Sequence, residues 1–210
     1  MNNKYEFTDD TLVTDDGAVL HRIKALVSFA GVDAGDLGGW VEKEENLDSS
    51  GDAWVSGDAW VYGDAWVYGD AWVYGNARVS GDARVYGNAR VSGDARVYGD
   101  ARVYGDAWVY GDAWVYGDAR VYGNARVYGN AWEVSPLQIQ PSRYYINMAN
   151  ATELRIGCQV HTIAWWLENN ERHAAETGET PELAAEMRLY IELAARRYAP
   201  ELLEVVANEQ

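Results

Sequence analysis

Residues 51–134 repeat one six-residue unit fourteen times without an insertion: GDAWVS GDAWVY GDAWVY GDAWVY GNARVS GDARVY GNARVS GDARVY GDARVY GDAWVY GDAWVY GDARVY GNARVY GNAWEV. A fixed short period indicates a solenoid, because one unit cannot bury an apolar face alone and has to stack on its neighbours. Only the last hexad departs from the unit, with Glu133 where the others have valine. This stretch decides the fold, and it contains no irregular loop in which an ordinary active site could form.

The six letters predict which side chains point inward. Side chains on an extended strand alternate between its two faces. Valine, glycine and alanine therefore fall on one side of each strand, and the aromatic, arginine and acidic residues fall on the other, as in residues 61–66. A two-sheet sandwich needs a core about 10 Å thick, which these small residues do not fill. The Gly-(Asp/Asn) pair supplies a corner in every hexad. The pattern predicts a mainly β protein, built as a parallel β-helix around a thin Val/Ala core.

The unit resembles the hexapeptide-repeat left-handed β-helix, with valine at the aliphatic corner position and alanine at the small inward position. The resemblance implies three hexads per triangular coil, so that equivalent residues stack at about 4.8 Å. It also implies a homo-oligomer, a trimer by that resemblance. The flanks resemble uncharacterised hexapeptide-repeat proteins of tailed phages and prophages of enteric bacteria, and this second likeness brings no established activity. The segments that carry it are Tyr5-Glu6-Phe7-Thr8, Leu20-His21-Arg22-Ile23-Lys24-Ala25, Gly35-Asp36-Leu37-Gly38-Gly39-Trp40-Val41-Glu42 and Ile156-Gly157-Cys158-Gln159-Val160-His161-Thr162.

Residues 1–50 are predicted to form an N-terminal β cap. Two short extended runs, 4–8 and 18–26, flank a turn signal at Asp15-Asp16-Gly17. Residues 38–41, Gly-Gly-Trp-Val, are interpreted as a first irregular rung of the solenoid. A cap of this kind covers strand edges that would otherwise invite filament growth.

Residues 135–210 are predicted to form a separate small α/β module, because the hexad pattern ends at Pro136. Thr180 and Pro181 give a clear helix start, as N-cap and first helical residue. We expect this module to be a candidate for oligomerisation. Its predicted elements are strands at 143–148 and 153–160 and helices at 163–175, from 180 onward and at 200–207.

Composition narrows the function classes. The net charge of −16 argues against binding of a nucleic-acid backbone. No apolar run approaches the roughly 20 residues of a membrane span, and residues 1–5 lack the apolar core of a signal peptide. A lone cysteine, Cys158, fits a reducing compartment. The expected location is the cytoplasm, that of the host cell if the chain is phage-encoded.

Histidine placement argues against an enzyme. Many left-handed β-helix enzymes are acyltransferases that use a histidine base, yet no histidine lies between His21 and His161. An acyltransferase is therefore the least favoured alternative. Cys158 and His161 suggest zinc, but a structural zinc site needs four ligands and only His173 is near in sequence. We expect a buried Cys158, no metal and no cofactor.

The outward positions of the hexads carry seven Trp, seven Arg and ten Tyr, where a plain scaffold would carry Lys, Glu, Thr and Ser. With three hexads per coil these side chains form vertical columns. The Tyr/Ser position is unbroken tyrosine on one of the three faces, here called the third face. The candidate binding residues of the third face are Trp66, Tyr68, Arg84, Tyr86, Arg102, Tyr104, Arg120 and Tyr122.

Four interpretations of these columns remain open. Stacked rings and guanidinium planes stabilise a solenoid by themselves. The same residue types are also enriched at protein interfaces, which favours a non-enzymatic protein that binds a host protein. Such binding could serve to block a host defence protein. Acids at ten of the fourteen corners suggest a DNA mimic that inhibits a nucleic-acid-binding host enzyme. Arginine beside tyrosine also suits a small nucleotide signal, with rings on the base and Arg on the phosphate.

Overall fold

The computed structural model describes residues 3–129 and 131–203 of the chain. The chain divides into two compact units, Met1–Pro136 and Leu137–Gln210. The first unit contains the cap and the repeats. The second contains a small sheet and two helices. Of the helix predicted at 200–207, residues 204–207 lie outside the described residues.

The cap is a β-hairpin that continues into the first rung. Strands β1 (Tyr5–Val13), β2 (Val19–Ala25) and β3 (Leu37–Val41) pair antiparallel in that order. Gly17 closes the β1–β2 turn at φ 91°, as the Asp-Asp-Gly signal predicts. β3 then pairs in parallel with the repeats, with Trp40 opposite Trp60. Residues 38–41 are thus the first rung, as predicted.

The repeats form a parallel β-solenoid of about five turns, which confirms the predicted fold class. Each turn contains three short strands, and each strand pairs with the strand three hexads away, as Arg84 with Arg102. The first face is β4 (Trp54–Val55), β7 (Trp72–Val73), β10 (Arg90–Val91), β13 (Trp108–Tyr110) and β16 (Arg126–Tyr128). The second face continues β3 through β5 (Trp60–Val61), β8 (Arg78–Val79), β11 (Arg96–Val97), β14 (Trp114–Val115) and β17 (Ala131–Trp132). The third face is β6 (Trp66–Val67), β9 (Arg84–Val85), β12 (Arg102–Val103) and β15 (Arg120–Val121).

The core of the solenoid is the predicted Val/Ala interior. Val85 and Ala101 are typical members, and both are fully buried. The corners depend on glycine for two reasons. Gly81 has φ +66°, and a Cβ atom built there would lie 2.9 Å from the backbone nitrogen of Gly99 in the next turn. Each turn therefore stacks on the next at a distance that only glycine permits at this corner.

The solenoid has a polarity that explains its caps. The N–H of each strand donates to a carbonyl of the following turn, as Arg84 N to Ala101 O at 2.9 Å. Carbonyl oxygens are therefore left over at the N-terminal end, and the cap has to supply donors there. The Lys4 ammonium donates to Ala53 O at 2.5 Å, and the Asn46 amide donates to Ala65 O at 2.8 Å. At the opposite end the Ser135 hydroxyl accepts from Arg120 N at 2.9 Å.

The last hexad leaves the repeat register by one residue. Trp132 pairs with Val115 instead of with Trp114, and its side chain is 6 % exposed. Trp132 is one of the seven tryptophans predicted at outward positions, and for this residue the prediction was wrong. In register, Glu133 would occupy a valine position inside the core, where a carboxylate is costly to bury. A slip of one residue exchanges the two faces of a strand, so the indole fills the core and Glu133 is exposed.

The second unit is an antiparallel sheet followed by two helices. Its strands are β18 (Gln138–Ile139), β19 (Ile146–Met148), β20 (Glu153–Ile156) and β21 (Gln159–Thr162), and its helices are α1 (Ile163–Thr177) and α2 (Pro181–Tyr198). Thr162 and Thr180 cap the two helices through their hydroxyls, and Pro181 opens α2 as predicted. The single strand predicted at 153–160 was wrong, because Gly157 at φ 59° turns the chain and divides it into the β20–β21 hairpin.

Candidate functional site

The third face brings together all eight candidate residues. Trp66, Arg84, Arg102 and Arg120 follow one another in the registered pairs of the third-face sheet. Each strand is followed at once by a tyrosine, so two columns run side by side along the solenoid. Trp66 is 41 % exposed, and Arg84 and Arg120 are also exposed. The placement follows from the repeat, because residues of equivalent hexads are stacked one turn apart.

The tyrosines of the third face form a continuous stacked ladder. Ring centroids are 4.8 Å apart for Tyr68 and Tyr86, 4.9 Å for Tyr86 and Tyr104, and 5.5 Å for Tyr104 and Tyr122. The interplanar angles do not exceed 16°. The Trp66 indole stacks on Tyr68 at 4.1 Å and covers the first ring of the ladder. The rings of Tyr68, Tyr86 and Tyr104 therefore each stack on two neighbouring rings.

Burial changes the acid–base behaviour of this ladder. The pKa values of Tyr68 and Tyr104 lie above the ordinary value of 10.0, chiefly because burial disfavours the phenolate and secondarily because neighbouring tyrosines do the same. The nearby guanidinium groups of Arg84 and Arg102 act in the opposite direction on Tyr68. At neutral pH Tyr68 and Tyr104 are thus neutral phenols beside fixed positive charges.

The arginines of the third face differ from those of the second face in what they contact. On the second face the Arg78 guanidinium lies 4.0 Å from the centroid of Trp60, and Arg96 lies 4.8 Å from Trp114. Within residues 3–129 and 131–203, no ion pair or cation–π contact engages the guanidinium of Arg84 or Arg102. The two central arginines of the third face are therefore not needed to stack the solenoid.

The corner acids form columns of two kinds. Two columns contain asparagine, whose amide donates to the next aspartate at 3.0 Å, as Asn76 to Asp94 and Asn88 to Asp106. The column beside the third face is aspartate only, and its first member, Asp64, is paired with Lys43 at 2.7 Å. Its pKa is lowered by the hydrogen bond from Lys43. The members of this column are Asp64, Asp82, Asp100 and Asp118.

Among the described residues, neither Arg84 nor Arg102 forms an ion pair with the corner acids Asp82 and Asp100. Outward positions two apart on a strand are separated by about 7 Å. The third face consequently carries a separate column of carboxylates, a column of guanidinium groups and a column of phenols.

A cleft beside Trp66 was not anticipated. It has a volume of about 510 Å³ and lies between the solenoid and the segment that connects the cap to the first hexad. Its walls are mainly acidic and include Glu44, Glu45, Asp48 and Asp64 around the indole of Trp66. The acidic residues within 42–48 are the sequence feature that could have indicated this cleft, but only the fold places them next to the third face.

The first face departs from the expectation of a fully exposed column. Trp54 is almost completely buried beneath the cap, where it meets Phe29 edge-on at a centroid distance of 5.4 Å. Trp108 is partly buried and donates to the Ser92 hydroxyl at 3.0 Å. These tryptophans serve packing within the first unit, whereas Trp66 is exposed.

The second unit holds the cysteine and two histidines. Cys158 is exposed at the β20–β21 turn, so the prediction that it is buried was wrong. His161 stacks on Trp165 at 3.7 Å, and burial together with the charge of His173 lowers its pKa. Cys158 and His173 line a cavity of about 150 Å³, which is smaller than most ligand pockets. The Trp166 ring also lines the cavity and is fixed by a 2.8 Å hydrogen bond to Leu154 O.

Residues 3–129 and 131–203 lack the features of two other types of site. Among those residues, no three His, Cys, Asp or Glu side chains are grouped so that they could hold a metal ion. Neither α1 nor α2 in the described part has the length and hydropathy needed to cross a bilayer.

A comparison with known protein families finds a match within the hexads. The family model for the YdcK Beta solenoid repeat matches residues 71–85, 77–99, 95–111, 101–117 and 119–134. No curated protein sequence matches the chain. Over its repeats the chain is thus similar to a β-solenoid repeat family, in agreement with the observed fold.

Proposed function

We propose that this chain is a non-enzymatic binding protein that engages another protein through the third face of its solenoid. The observation that carries the proposal is the pair of side-by-side columns there. The tyrosine ladder makes a rigid, flat surface, and the guanidinium groups of Arg84 and Arg102 are not used for stacking. Tyrosine, tryptophan and arginine are the residues that most often dominate binding energy at protein interfaces.

The charge pattern favours a protein partner over the two other binding alternatives. A partner bound to the third face would contact the acidic cleft at Trp66, a column of guanidinium groups and a column of carboxylates. A protein surface can complement this mixed pattern, because it carries basic and acidic side chains close together. Inside the ladder the ring faces are occupied, as that of Tyr68 is by Trp66 and Tyr86, and the exposed indole of Trp66 borders an acidic cleft that disfavours a phosphate.

A DNA mimic would need carboxylates without interleaved cations. The continuous aspartate column beside the third face runs next to the guanidinium groups of Arg84 and Arg102, and amides of Asn76 and Asn88 interrupt the two other corner columns.

The likeness of the flanks to phage and prophage proteins directs the proposal to a bacterial host protein. On that basis the binding would take place in the host cytoplasm, and blocking a host defence protein is the form of action that we propose. The uninterrupted hexads, which contain no histidine, support a role without catalysis.

The test is capture of partners from bacterial lysate by three forms of the full chain. The first is the wild type. The second carries Arg84→Ala, Arg102→Ala and Arg120→Ala. The third is a matched control with Arg78→Ala, Arg96→Ala and Arg126→Ala, which removes the same number of arginines from the same hexad position on the other faces. Captured proteins and co-purified small molecules are identified by mass spectrometry.

We expect a stoichiometric protein that binds the wild type and the control and is lost from the third-face variant. A protein that all three forms retain, or that only the control loses, would contradict the assignment to the third face. A small nucleotide instead of a protein would favour the nucleotide alternative. Empty captures would leave ladder stabilisation as the better account of the columns.

A further inference from the structure

The outer side of α2 carries an apolar stripe with opposite charges at its two ends. The stripe consists of Glu182, Ala185, Leu189, Leu193 and Arg196, all exposed. Leu189 is 65 % exposed and Leu193 is 47 % exposed. At 100° per residue these five positions fall within an arc of about 80°, so they form one narrow face of the helix. The opposite side of α2, with Met187, Ile191 and Ala194 among others, is buried against the rest of the unit.

The stripe is symmetric about Leu189. Ala185 and Leu193 lie four residues to either side of it, and Glu182 and Arg196 lie seven residues to either side. Seven residues correspond to about 10.5 Å along a helix. Each end of the stripe is thus equally far from the centre and carries the opposite charge.

We propose that α2 is a self-association surface that pairs antiparallel with α2 of a second copy, with a two-fold axis at Leu189. The two Leu189 side chains meet at the axis. Glu182 of each copy then lies opposite Arg196 of the second copy, and Ala185 lies opposite Leu193. Such a contact is isologous, because the same patch serves both copies. It does not involve the third face, so the proposal is independent of the proposed function.

The surface beside Ala185 is shaped to receive a leucine. A depression of about 280 Å³ lies there between the end of α1 and the start of α2. Its lining includes the small residues Ala174, Ala184 and Ala185, and also Glu171 and Glu179. In the antiparallel pair Leu193 of the second copy packs into this depression, as a knob of one helix packs into a hole of another.

Charge selects the direction of pairing. A parallel pair would place Glu182 against Glu182 and Arg196 against Arg196, and like charges across an interface are costly. Glu182 is ionised at neutral pH, since hydrogen bonds from its own backbone N–H and from the Thr180 side chain lower its pKa. The antiparallel arrangement sets two attractive pairs in place of two repulsive ones. It also predicts dimers, whereas the hexapeptide resemblance implies trimers.

Disulfide trapping tests the direction on the full chain. Cys158→Ser removes the only native cysteine, and Ala185→Cys and Leu193→Cys are introduced into separate copies of that background. A disulfide requires Cα atoms within about 7 Å. When the two proteins are mixed and oxidised, we expect mainly the mixed 185–193 disulfide, identified by mass spectrometry of the linked peptides. Mainly 193–193 linkage would show a parallel pair, and an equal distribution of all linkages would show random collision, and either result overturns the proposal.

Charge exchange provides the second test. Sedimentation equilibrium over a concentration series compares the wild type, Glu182→Arg, Arg196→Glu and the double variant. We expect each single reversal to weaken association by about tenfold or more and the double variant to restore it to within about threefold. Far-UV circular dichroism controls for folding, since both residues are exposed. A monomeric wild type, or a double variant as weak as the singles, would refute the pairing.

Discussion

Alanine at a stacked corner should destabilise the solenoid through two separable effects. Gly81→Ala places a side chain at φ +66° and sets its Cβ 2.9 Å from Gly99 N in the next turn. The backbone term is about 1–2 kcal/mol for an L-residue in the left-handed region. The second effect, the contact term, is the cost of this close approach. Gly99 N is a backbone atom and cannot move away without moving its turn. The turn has to move, and this strains the flanking hydrogen bonds of Ser80 N and Arg84 N, each 2.9 Å long.

The contact term is estimated from those two bonds. A backbone hydrogen bond contributes about 1 kcal/mol net, so weakening both costs about 2 kcal/mol. The total for Gly81→Ala is therefore about 3 kcal/mol when added to the lower end of the backbone term. The matched control is Gly17→Ala, where φ is +91° but no heavy atom lies within 4 Å of the new Cβ. It should cost only the backbone term, about 1 kcal/mol.

Urea denaturation followed by tryptophan fluorescence measures both variants, since eight of the ten tryptophans lie in the first unit. Asparagine tolerates the left-handed region, so Gly81→Asn should retain the contact term while Gly17→Asn is nearly neutral. If Gly81→Ala is no more destabilising than Gly17→Ala, turn-to-turn contact is not what requires glycine at the corners, and the reasoning is wrong.

Three further predictions concern the columns and the end of the solenoid. Trp132→Ala should lower the free energy of unfolding by about 3–5 kcal/mol because the indole fills the last turn, and urea denaturation checks this. The contribution of the partly buried phenols Tyr68 and Tyr104 to stability should be complete below pH 10.0 and be lost as pH rises through their raised pKa values, because the unfolded chain releases those protons first. Denaturation midpoints across alkaline pH, compared with those of a Tyr68→Phe/Tyr104→Phe variant, measure this contribution. Arg78→Met should cost about 0.5–1 kcal/mol through loss of the contact with Trp60, and a double-mutant cycle with Trp60→Leu isolates that energy.

The fold and the candidate face could be predicted from the hexads because the period fixes both the inward side and the vertical neighbours of every outward side chain. The stacking of Tyr68 on Tyr86 follows directly from that register. The contrast between Arg84 and Arg78 does not, since it depends on which ring each guanidinium meets in three dimensions. The cleft at Trp66 depends in the same way on the path of the preceding segment.

Two errors have local physical causes. The alternation of apolar residues from Leu154 to Val160 continues through the Gly157-Cys158 turn, because a two-residue turn preserves the period of two. One strand and a hairpin therefore give the same pattern, and only the positive φ of Gly157 distinguishes them. The inward turn of Trp132 was signalled by Glu133, since a charge at a valine position makes the in-register arrangement costly.

Identical hexads have different roles because their vertical neighbours differ. The sequence GDARVY occurs at 93–98 and again at 99–104, yet Arg96 stacks on Trp114 while Arg102 has arginines above and below it. Recognition by the third face therefore depends on the order of Trp and Arg hexads along the chain, and not on the hexad itself.

Exchanging two neighbouring hexads tests that dependence without a change in composition or charge. The double substitution Arg102→Trp and Trp108→Arg moves one guanidinium from the third face to the first. It gives up the hydrogen bond of Trp108 to Ser92 and its contact with Arg126, so we expect a loss of about 1–2 kcal/mol in the free energy of unfolding and a retained solenoid. Partner capture should nevertheless be lost. Undiminished capture by a folded exchange variant would mean that composition, and not the order of the hexads, determines binding. The assignment of the binding site to the third face would then be refuted.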